Sequence, residues 1–373
     1  MSILSIVSRL ADISSLLWCN LPFVIAAIFG IGFLIVFHEL GHLLFAKLFN
    51  VFAPSFSIGF GPRLLEVKLG ETTYALSAIP LGGYVELAGS PEIGQGEQAH
   101  AEVTDDRSFS SKPFWQKFII MLGGIGFNIL FAYIVLSILF TMGAPCIGTW
   151  CQDKAANIGA VHAGTPADKA GLKEEDIILS VQEIKTPTIK EVTEALIPFI
   201  KKPVMLTILR DGQEIKKEVT PEEQTIGSQK RPLLGVAWQV QKMGIFDAFT
   251  NGWKATWSLI VQTAQALKDI TKSREGLGGP LMLLCQVTQF AGMGIKMFLF
   301  ILAFISINLA VFNIIPLPIF DGGQILFFSI EALLNRPLSD KARYYIHVAT
   351  WILVGLLVLY LTLKDIIKIS TWL

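Results

Sequence analysis

Apolar residues gather in four long stretches along this chain of 373 residues. Each stretch is long enough for a helix that crosses the hydrocarbon core of a bilayer, which takes about 20 apolar residues. Charged side chains are almost absent from all four stretches. The pattern therefore predicts four transmembrane helices, within Leu21–Ala46, Phe118–Gln152, Met297–Ser329 and Tyr344–Leu363.

Short strand-like runs with turn residues between them follow the first apolar stretch. Arg63–Leu69 and Thr73–Ile79 flank a turn at Gly70-Glu71, and Tyr84–Leu87 follows a second glycine turn. Such runs are typical of strands joined in hairpins. We interpret residues 50–117 as a β-hairpin region. It either offers a free strand edge to a partner or is an ordinary surface hairpin.

Residues from Asp153 to about Arg231 have mixed charge and ordinary hydrophobicity, which indicates a small soluble insert. Within it, Ile158–Val161 predicts a strand, Pro166–Gly171 a short helix that begins at proline, and Ile177–Val181 a second strand. This order and its motif resemble a bacterial-type PDZ domain. PDZ folds can bind extended peptides by strand addition, so peptide binding and steric gating both stay open.

The composition fits a membrane protein, with 52% hydrophobic and only 16% charged residues, against a usual charged share of about 25%. The formal net charge is zero, so nothing indicates a nucleic-acid partner. The four cysteines form no CxxC pair. Cys146 and Cys151 could form a short-loop disulfide on an oxidising side of the membrane, but we expect two free thiols.

An ionisable cluster, His38-Glu39-Leu40-Gly41-His42, lies inside the first apolar stretch. Ionisable residues at membrane depth are costly and mark functional sites. On a helix, His38 and His42 project from one face, where two neutral imidazoles can bind one Zn²⁺ ion. Glu39 between them can then act as a general base that takes a proton from water. The cluster predicts a hydrolase whose chemistry takes place inside the bilayer.

A third protein ligand is expected, because catalytic zinc normally takes three and leaves one position open. Asp321 is the natural choice among the ionisable residues of the apolar stretches. Pro316 and Pro318 precede it and two glycines follow, so the helix must break there. Broken backbone at membrane depth is tolerated where it is buried in protein or lines a cavity. We therefore predict a His₂Asp site made of His38, His42 and Asp321.

The second apolar stretch contains a group of small residues, Gly123-Gly124-Ile125-Gly126, followed by Phe127 and Asn128. Small residues let another helix approach closely. Asn128 is a lone amide at membrane depth, and two roles stay open for it. It either forms a structural hydrogen bond between helices or supports the active site.

Three motifs together resemble those of the site-2 protease family of intramembrane zinc metalloproteases. They are HELGH at residues 38–42, Gly124-x-x-x-Asn128, and Asn313-x-x-Pro316-x-Pro318-x-x-Asp321-Gly322. Phe56–Pro62 and Ile79–Tyr84 add to the likeness, which covers nearly the whole chain and points to the bacterial RseP-type branch. RseP itself has two PDZ domains, whereas this chain has room for only one.

The resemblance implies a role for each candidate site residue. His38, His42 and Asp321 would bind zinc, and Glu39 would be the catalytic base. Asn313 would touch the substrate backbone near the scissile bond, or else satisfy the broken backbone of its own helix. The hairpin would clamp the substrate. The predicted substrate-binding residues are Asn313, Pro316, Pro318, Gly82 and Gly83, supported by Gly124 and Asn128.

We expect a polytopic α-helical membrane protein with four transmembrane helices, a membrane-associated β-hairpin and an inserted α/β PDZ-like domain. Most of the lysines and arginines beside the helices place that insert outside the cytoplasm, whereas Arg9, Lys364 and Lys368 argue the other way. The resemblance implies the same outside position, at a bacterial inner membrane. The predicted segments are a first helix region (1–49), the hairpin region (50–117), the second helix (118–145), the PDZ-like domain (146–232), an amphipathic helix at Phe246–Ile270 with a linker (233–294), and the last two helices (295–373).

The predicted function is an intramembrane zinc metalloprotease that acts within or near transmembrane segments. Its partners would be transmembrane or signal-peptide substrates and the lipid bilayer, with peptide binding by the PDZ-like domain still open. Two duties stay open, cleavage of a membrane-anchored anti-sigma factor and clearance of remnant signal peptides. The rival class is a non-enzymatic scaffold or transporter with a structural zinc, which would have no use for Glu39 beside the metal.

Overall fold

Long apolar helices alternate with two β-rich insertions along the chain. The computed structural model describes residues 20–90, 105–146, 151–162, 164–226, 229–240, 242–269, 278–334, 336 and 338–369. In chain order, the helices and strands are α1 (Leu21–Leu48), β1 (Ser55–Leu69), β2 (Thr72–Glu86), α2 (Phe114–Met142), β3 (Asn157–Val161), α3 (Pro166–Lys169), β4 (Ile177–Val181), β5 (Ile184–Lys185), α4 (Ile189–Leu196), β6 (Val204–Arg210), β7 (Gln213–Val219), β8 (Glu222–Ile226), β9 (Gln229–Leu233), β10 (Val236–Gln239), α5 (Ile245–Asp269), α6 (Pro280–Gly292), α7 (Ile295–Asn313), α8 (Asp321–Leu334) and α9 (Asp340–Ile369).

Within these ranges, four helices are long and apolar enough to cross a membrane, as the sequence predicts. They are α1, α2, α7 and the part of α9 from Lys341 to Ile367. The second helix is shorter than its apolar stretch. It ends at Met142, because Gly143 adopts a left-handed φ of +83° and Pro145 cannot continue the helix. The third stretch is broken after Asn313, as its prolines and glycines predict.

The first of two compact units comprises Met1–Ala132 and Ile260–Leu373, and it contains the predicted hairpin. Strands β1 and β2 are folded back on themselves, so that Ser55 pairs with both Thr73 and Glu86. The start of β1 therefore lies between two sections of β2. The two edges of this small sheet are residues 83–86 and residues 65–69.

The turn of the hairpin lies at Gly70-Glu71, where the sequence predicts it. Gly70 takes a left-handed φ of +62°, which only glycine adopts readily. Arg107 donates two hydrogen bonds of 2.6 Å to the Glu71 carboxylate, and these hydrogen bonds hold the pKa of Glu71 below its usual value. The turn is thereby tied to the segment that leads into α2.

The second unit, Tyr133–Leu259, is built around a six-stranded sheet. Its strand order is β10-β3-β4-β6-β7, with β5 paired to β4. The predicted strand, Pro-initiated helix and second strand are β3, α3 and β4. Helix α4 begins with a capping box between Thr188 and Glu191, and it buries Val192 and Leu196 against the sheet. Strand β10 lies beyond residue 232, where the sequence prediction ended the insert.

Two further helices, α5 and α6, lie between β10 and α7, the third membrane-spanning helix. Helix α5 matches the predicted amphipathic helix, with the exposed Trp253 and Trp257 one turn apart. Helix α6 differs from the linker that the sequence predicts. Pro280 starts this helix, and the buried Asp365 of α9 caps it by accepting hydrogen bonds of 2.9 Å from the amides of Gly279 and Met282.

The expectation of two free thiols at Cys146 and Cys151 is wrong. The two residues form a disulfide, with their Cα atoms 5.8 Å apart. The spacing alone could not decide this, because pairing depends on how the backbone brings the two Cβ atoms together. Here α2 ends at Met142, shortly before Cys146.

Candidate active site

The HExxH motif lies near the C-terminal end of α1, where the helix is surrounded by protein. His38, Glu39 and His42 are 8%, 8% and 5% exposed, although much of α1 is exposed and apolar. Gly41 explains the close surroundings, because a Cβ at this position would lie 2.3 Å from the carbonyl oxygen of Gly123 on α2. The two helices therefore touch through glycine backbones directly beside the histidines.

The two imidazoles turn their Nε2 atoms towards one point. His42 donates a hydrogen bond of 2.8 Å from Nδ1 to the carbonyl oxygen of Ile120, which leaves its Nε2 with a free lone pair. That Nε2 atom is 3.2 Å from Nε2 of His38. Two ring nitrogens so close together, at membrane depth, are the arrangement expected for ligands of a shared cation.

Asp321 joins the two histidines from the other end of the chain. Its Oδ2 is 3.3 Å from Nε2 of His38 and its Oδ1 is 3.5 Å from Nε2 of His42. It starts α8 after the broken segment 314–320. Gly322 and Gly323 make this possible, because a Cβ on either would lie within 2.2 Å of a backbone oxygen of that segment. The predicted convergence of His38, His42 and Asp321 is present.

The separations of these atoms fit a tetrahedral zinc ion. Bonds of about 2.0–2.1 Å in a tetrahedron place neighbouring ligand atoms roughly 3.3–3.4 Å apart. The two Nε2 atoms are 3.2 Å apart, and each lies 3.3 or 3.5 Å from one oxygen of the Asp321 carboxylate. The buried Oδ2 of Asp321 has no hydrogen-bond partner among the described residues, which is costly for a carboxylate without a cation. The donor set of two imidazoles and one carboxylate is also one that zinc prefers.

Gly124 and Asn128 of α2 lie on the same side of the two histidines. A Cβ on Gly124 would come within 2.4 Å of Nε2 of His42 and 2.7 Å of Nε2 of His38. The fully buried Asn128 amide is 3.1 Å from Nδ1 of His38. Of the two roles left open for Asn128, contact with the site is therefore observed.

Glu39 lines the same cavity as the ligand residues and also borders the hairpin. Its carboxylate accepts a hydrogen bond from the backbone amide of Val85 on β2. Gly83 lies close by, since a Cβ there would be 3.8 Å from Cγ of Glu39 and 2.8 Å from the carbonyl oxygen of Ser57. Gly82 adopts a φ of +143°, at a kink in β2. The edge section 83–86 of the hairpin thus borders the catalytic carboxylate.

A cavity of about 180 Å³ opens onto these groups. It is lined by the HExxH residues and Asp321, and by Asn128, Asn313, Val85 and Leu87 among others. The Asn313 amide is 3.3 Å from Nε2 of His38. The lining residues do not include Pro316 or Pro318. Pro318 instead accepts a hydrogen bond of 3.0 Å from Gln324 through its carbonyl oxygen, and Pro316 is exposed.

The contributors to the site that the sequence analysis missed are backbone groups and apolar side chains. The carbonyl of Ile120 and the amide of Val85 are backbone groups, which leave no trace in residue identity. Leu87 lines the cavity as an ordinary apolar residue of the hairpin. The alternation along residues 84–87 was the available signal, since it marks Val85 and Leu87 as one face of a strand.

Comparisons with known proteins agree with this geometry. Residues 26–357 match Peptidase family M50. The chain is 31% identical over 351 residues to Putative zinc metalloprotease CPE1693 of Clostridium perfringens, and the alignment covers 92% of this chain and 98% of the relative. It is 26% identical over 427 residues to Zinc metalloprotease RasP of Geobacillus kaustophilus, with 94% of this chain and 99% of the relative covered.

The fold and the site thus define a membrane-embedded zinc metalloprotease, with zinc as its cofactor. The chain belongs to Peptidase family M50. The resemblance to site-2 proteases is confirmed at the level of the family. The non-enzymatic rival is excluded by the same finding.

Proposed function

We propose that this protein hydrolyses peptide bonds within or near the membrane-spanning segments of other membrane proteins. His38, His42 and Asp321 are the zinc ligands and Glu39 is the general base. The observation that supports this most strongly is the convergence of the two Nε2 atoms and the Asp321 carboxylate at membrane depth, with separations of 3.2 to 3.5 Å, beside an additional buried carboxylate one residue from a ligand.

The mechanism divides between the cofactor and the residues around it. Bound zinc supplies Lewis-acid chemistry, which polarises a peptide carbonyl and makes water acidic enough to lose a proton near neutral pH. Glu39 takes that proton and later delivers it to the leaving amine. The amide of Val85 holds the Glu39 carboxylate in position. The cavity has room for the several water molecules that hydrolysis inside a membrane requires.

The hairpin edge at residues 83–86 binds the unwound substrate by strand addition. A transmembrane helix hides its carbonyl groups in its own hydrogen bonds, so it must unwind before attack. The edge section pairs on one side with the start of β1. Apart from the Val85 amide, which Glu39 engages, its other side is left for an added strand. Val85 and Leu87 bring this edge to the cavity. Gly82 and Gly83 give it its kink and its close approach to Glu39.

Asn313 contacts the substrate backbone near the scissile bond. Its amide lies beside a ligand atom at the cavity wall, where an incoming carbonyl group would be within its reach. Pro316 and Pro318 act less directly, by shaping the broken segment that presents Asp321. The exposed apolar side chains of the outer hairpin section, Leu65, Val67 and Leu69, fit a hairpin that is associated with the membrane.

Asn128 positions the ring of His38. For Nε2 of His38 to bind zinc, Nδ1 must carry the proton, so we assign the amide with its oxygen facing Nδ1. We expect Asn128→Leu to lower zinc affinity by about 10–100-fold, whereas Asn128→Asp, which keeps an acceptor, retains more of it. Competition with a zinc chelator of known affinity measures both values. Equal affinity of wild type and Asn128→Leu would contradict the assignment.

The six-stranded sheet with α4 is PDZ-like, and we place a peptide groove between β10 and α4. A cavity of about 580 Å³ lies there, lined by Ile189, Ile197 and Trp238 among others. In the described part of the chain, the backbone amides of Leu234, Gly235 and Val236 have no hydrogen-bond acceptor. Three successive amides of this kind can bind a carboxylate.

The charged flanks of the helices and the proposed proteolysis also indicate where the protein acts in the cell. The positive flanks of the helices support an extracytoplasmic position for the PDZ-like domain, and the bacterial origin of the relatives supports a bacterial inner membrane. Membrane-anchored regulatory proteins and remnant signal peptides are both suitable substrates, since either presents a single membrane-spanning segment. Comparing the membrane peptides that accumulate in cells with active and inactive enzyme separates these two duties.

The test of the function uses purified full-length protein in detergent with a membrane-spanning model substrate. We expect wild type to cut within the apolar segment, as mapped by mass spectrometry, and to stop when zinc is chelated. Asp321→Asn should keep the fold but lose most of the zinc, because a neutral amide is a poor zinc ligand. Zinc content by elemental analysis measures this directly. Wild-type zinc occupancy in Asp321→Asn would exclude Asp321 as a ligand.

A further inference from the structure

The segment that follows α2 lies along the outer edge of β10. The amide of Cys146 donates a hydrogen bond of 2.7 Å to the carbonyl oxygen of Trp238, and the amide of Val240 donates one of 2.7 Å to that of Ala144. Pro145 lies opposite Gln239 in an antiparallel bridge. Residues 144–146 therefore pair with this edge through one β-bridge and two hydrogen bonds, and we call them the edge segment.

The edge segment has the direction of a bound peptide. It runs antiparallel to β10, so its chain direction points towards the amides of residues 234–236. A peptide whose C-terminal carboxylate reached those amides would run the same way along the same edge. Such a peptide would use the outward backbone groups of Trp238 and Val240, which the edge segment already occupies.

The disulfide joins the edge segment to the opposite wall of the groove. Cys146 lies on the β10 side of the groove, whereas the residues after Cys151 are hydrogen-bonded to the start of α4. The carbonyl oxygens of Gln152 and Lys154 accept hydrogen bonds of 3.0 Å from the amides of Lys190 and Ile189. Cys151 itself is fully buried. The Cys146–Cys151 bond thus spans the groove near β10.

We propose that the edge segment is an intramolecular ligand of the groove, and that the Cys146–Cys151 disulfide controls its release. The disulfide keeps the segment on β10, and reduction frees it, so that an extended peptide with an apolar C-terminal residue can pair with Trp238 and Val240. This proposal rests on the peptide-binding role given to the groove above. It adds that peptide binding by the groove depends on the redox state of the Cys146–Cys151 disulfide.

The reductant is a dithiol, and the exchange balances without any other reagent. A thiolate of the dithiol attacks one sulfur of the pair and forms a mixed disulfide, and its second thiol then displaces the remaining cysteine. Two electrons pass to the Cys146–Cys151 bond, and the two protons of the dithiol end on the cysteines. The dithiol leaves as its own disulfide.

The first measurement follows amide hydrogen exchange of the full-length protein in detergent, with and without dithiothreitol. We expect reduction to raise the exchange rates of Cys146 and Val240 about tenfold or more, because their hydrogen bonds hold the edge segment in place. The amide of Ala237, which faces β3, is the internal control and should not change. Unchanged exchange at Val240 after complete reduction would overturn the proposed control by the disulfide.

The second measurement titrates a fluorescein-labelled heptapeptide with a C-terminal valine. We expect reduction to tighten its binding at least about fivefold, and the double variant Cys146→Ser with Cys151→Ser to bind tightly with or without dithiothreitol. The same peptide with an amidated C-terminus should bind weakly in every case. Equal affinity of the heptapeptide for the oxidised and reduced protein would overturn the proposed competition with the edge segment.

The two measurements separate this inference from the proposed function. Hydrogen exchange at Val240 requires neither proteolysis nor peptide, so it tests the disulfide alone. Reduction could speed exchange at Val240 while no peptide binds in either redox state. That result would refute the groove as a peptide site, and with it the proposed competition between the edge segment and a peptide. Loss of proteolysis in some other experiment would leave both results unaffected.

Discussion

Glu39→Gln is expected to lower the rate of proteolysis by at least about a hundredfold while leaving zinc in place. The glutamine has the same length and can still accept the hydrogen bond from the amide of Val85, so the local structure should persist. It cannot take a proton from water or deliver one to the leaving amine. Loss of general acid–base catalysis lowers the rate by about 10²–10⁴-fold. His38 and His42 still bind the metal, since neither contact depends on the carboxylate.

The matched control for this variant is Glu66→Gln. Glu66 lies on the outer section of the same hairpin, where its side chain is 59% exposed and paired with Arg63. This exposed pair contributes little to stability, so the control should cleave at the wild-type rate. Elemental analysis and cleavage of the model substrate are measured on the same preparations. Full cleavage by Glu39→Gln would exclude Glu39 as the base.

The sequence could predict the ligands because charge in a membrane is so costly. His38, His42 and Asp321 stand out against uncharged surroundings, and the prolines before Asp321 require a break in the helix. Each of these signals lies in residue identity and spacing. That is why the convergence of residues almost 300 positions apart could be predicted before the structure was known.

The groups that complete the site could not be predicted in the same way. The Ile120 carbonyl that fixes the tautomer of His42 and the Val85 amide that holds Glu39 exist in every residue, so only the fold selects them. The same limit applies to the disulfide of Cys146 and to helix α6. Asp365, which caps α6, lies more than 80 residues away, and no local signal connects the two.

Gly124 shows how the close packing of helices and the metal site depend on each other. Gly41 and Gly123 bring the backbones of α1 and α2 together, and Gly124 then faces the Nε2 atoms of both histidines. Any side chain at residue 124 would enter the space in which the ligand atoms meet. The glycines therefore do more than allow helix contact, since one of them keeps the metal position open.

Gly124→Ala is accordingly expected to lose zinc and activity together. The added methyl group would lie 2.4 Å from Nε2 of His42, far inside van der Waals contact, so the ring or the helix must shift. We expect zinc affinity to fall by roughly a hundredfold or more, beyond the 10–100-fold typical of an outer-shell partner. Chelator competition and cleavage of the model substrate measure the two losses.

Gly126→Ala separates this effect from a general change in α2. A Cβ on Gly126 meets no atom within 4 Å, and alanine favours a helix over glycine by up to about 1 kcal/mol. This variant should bind zinc and cleave as wild type does, with equal or higher thermal stability. The same gain in helix propensity applies to Gly124→Ala, so its loss of zinc can only come from the methyl group at the ligands. Wild-type zinc affinity in Gly124→Ala would show that the metal lies elsewhere.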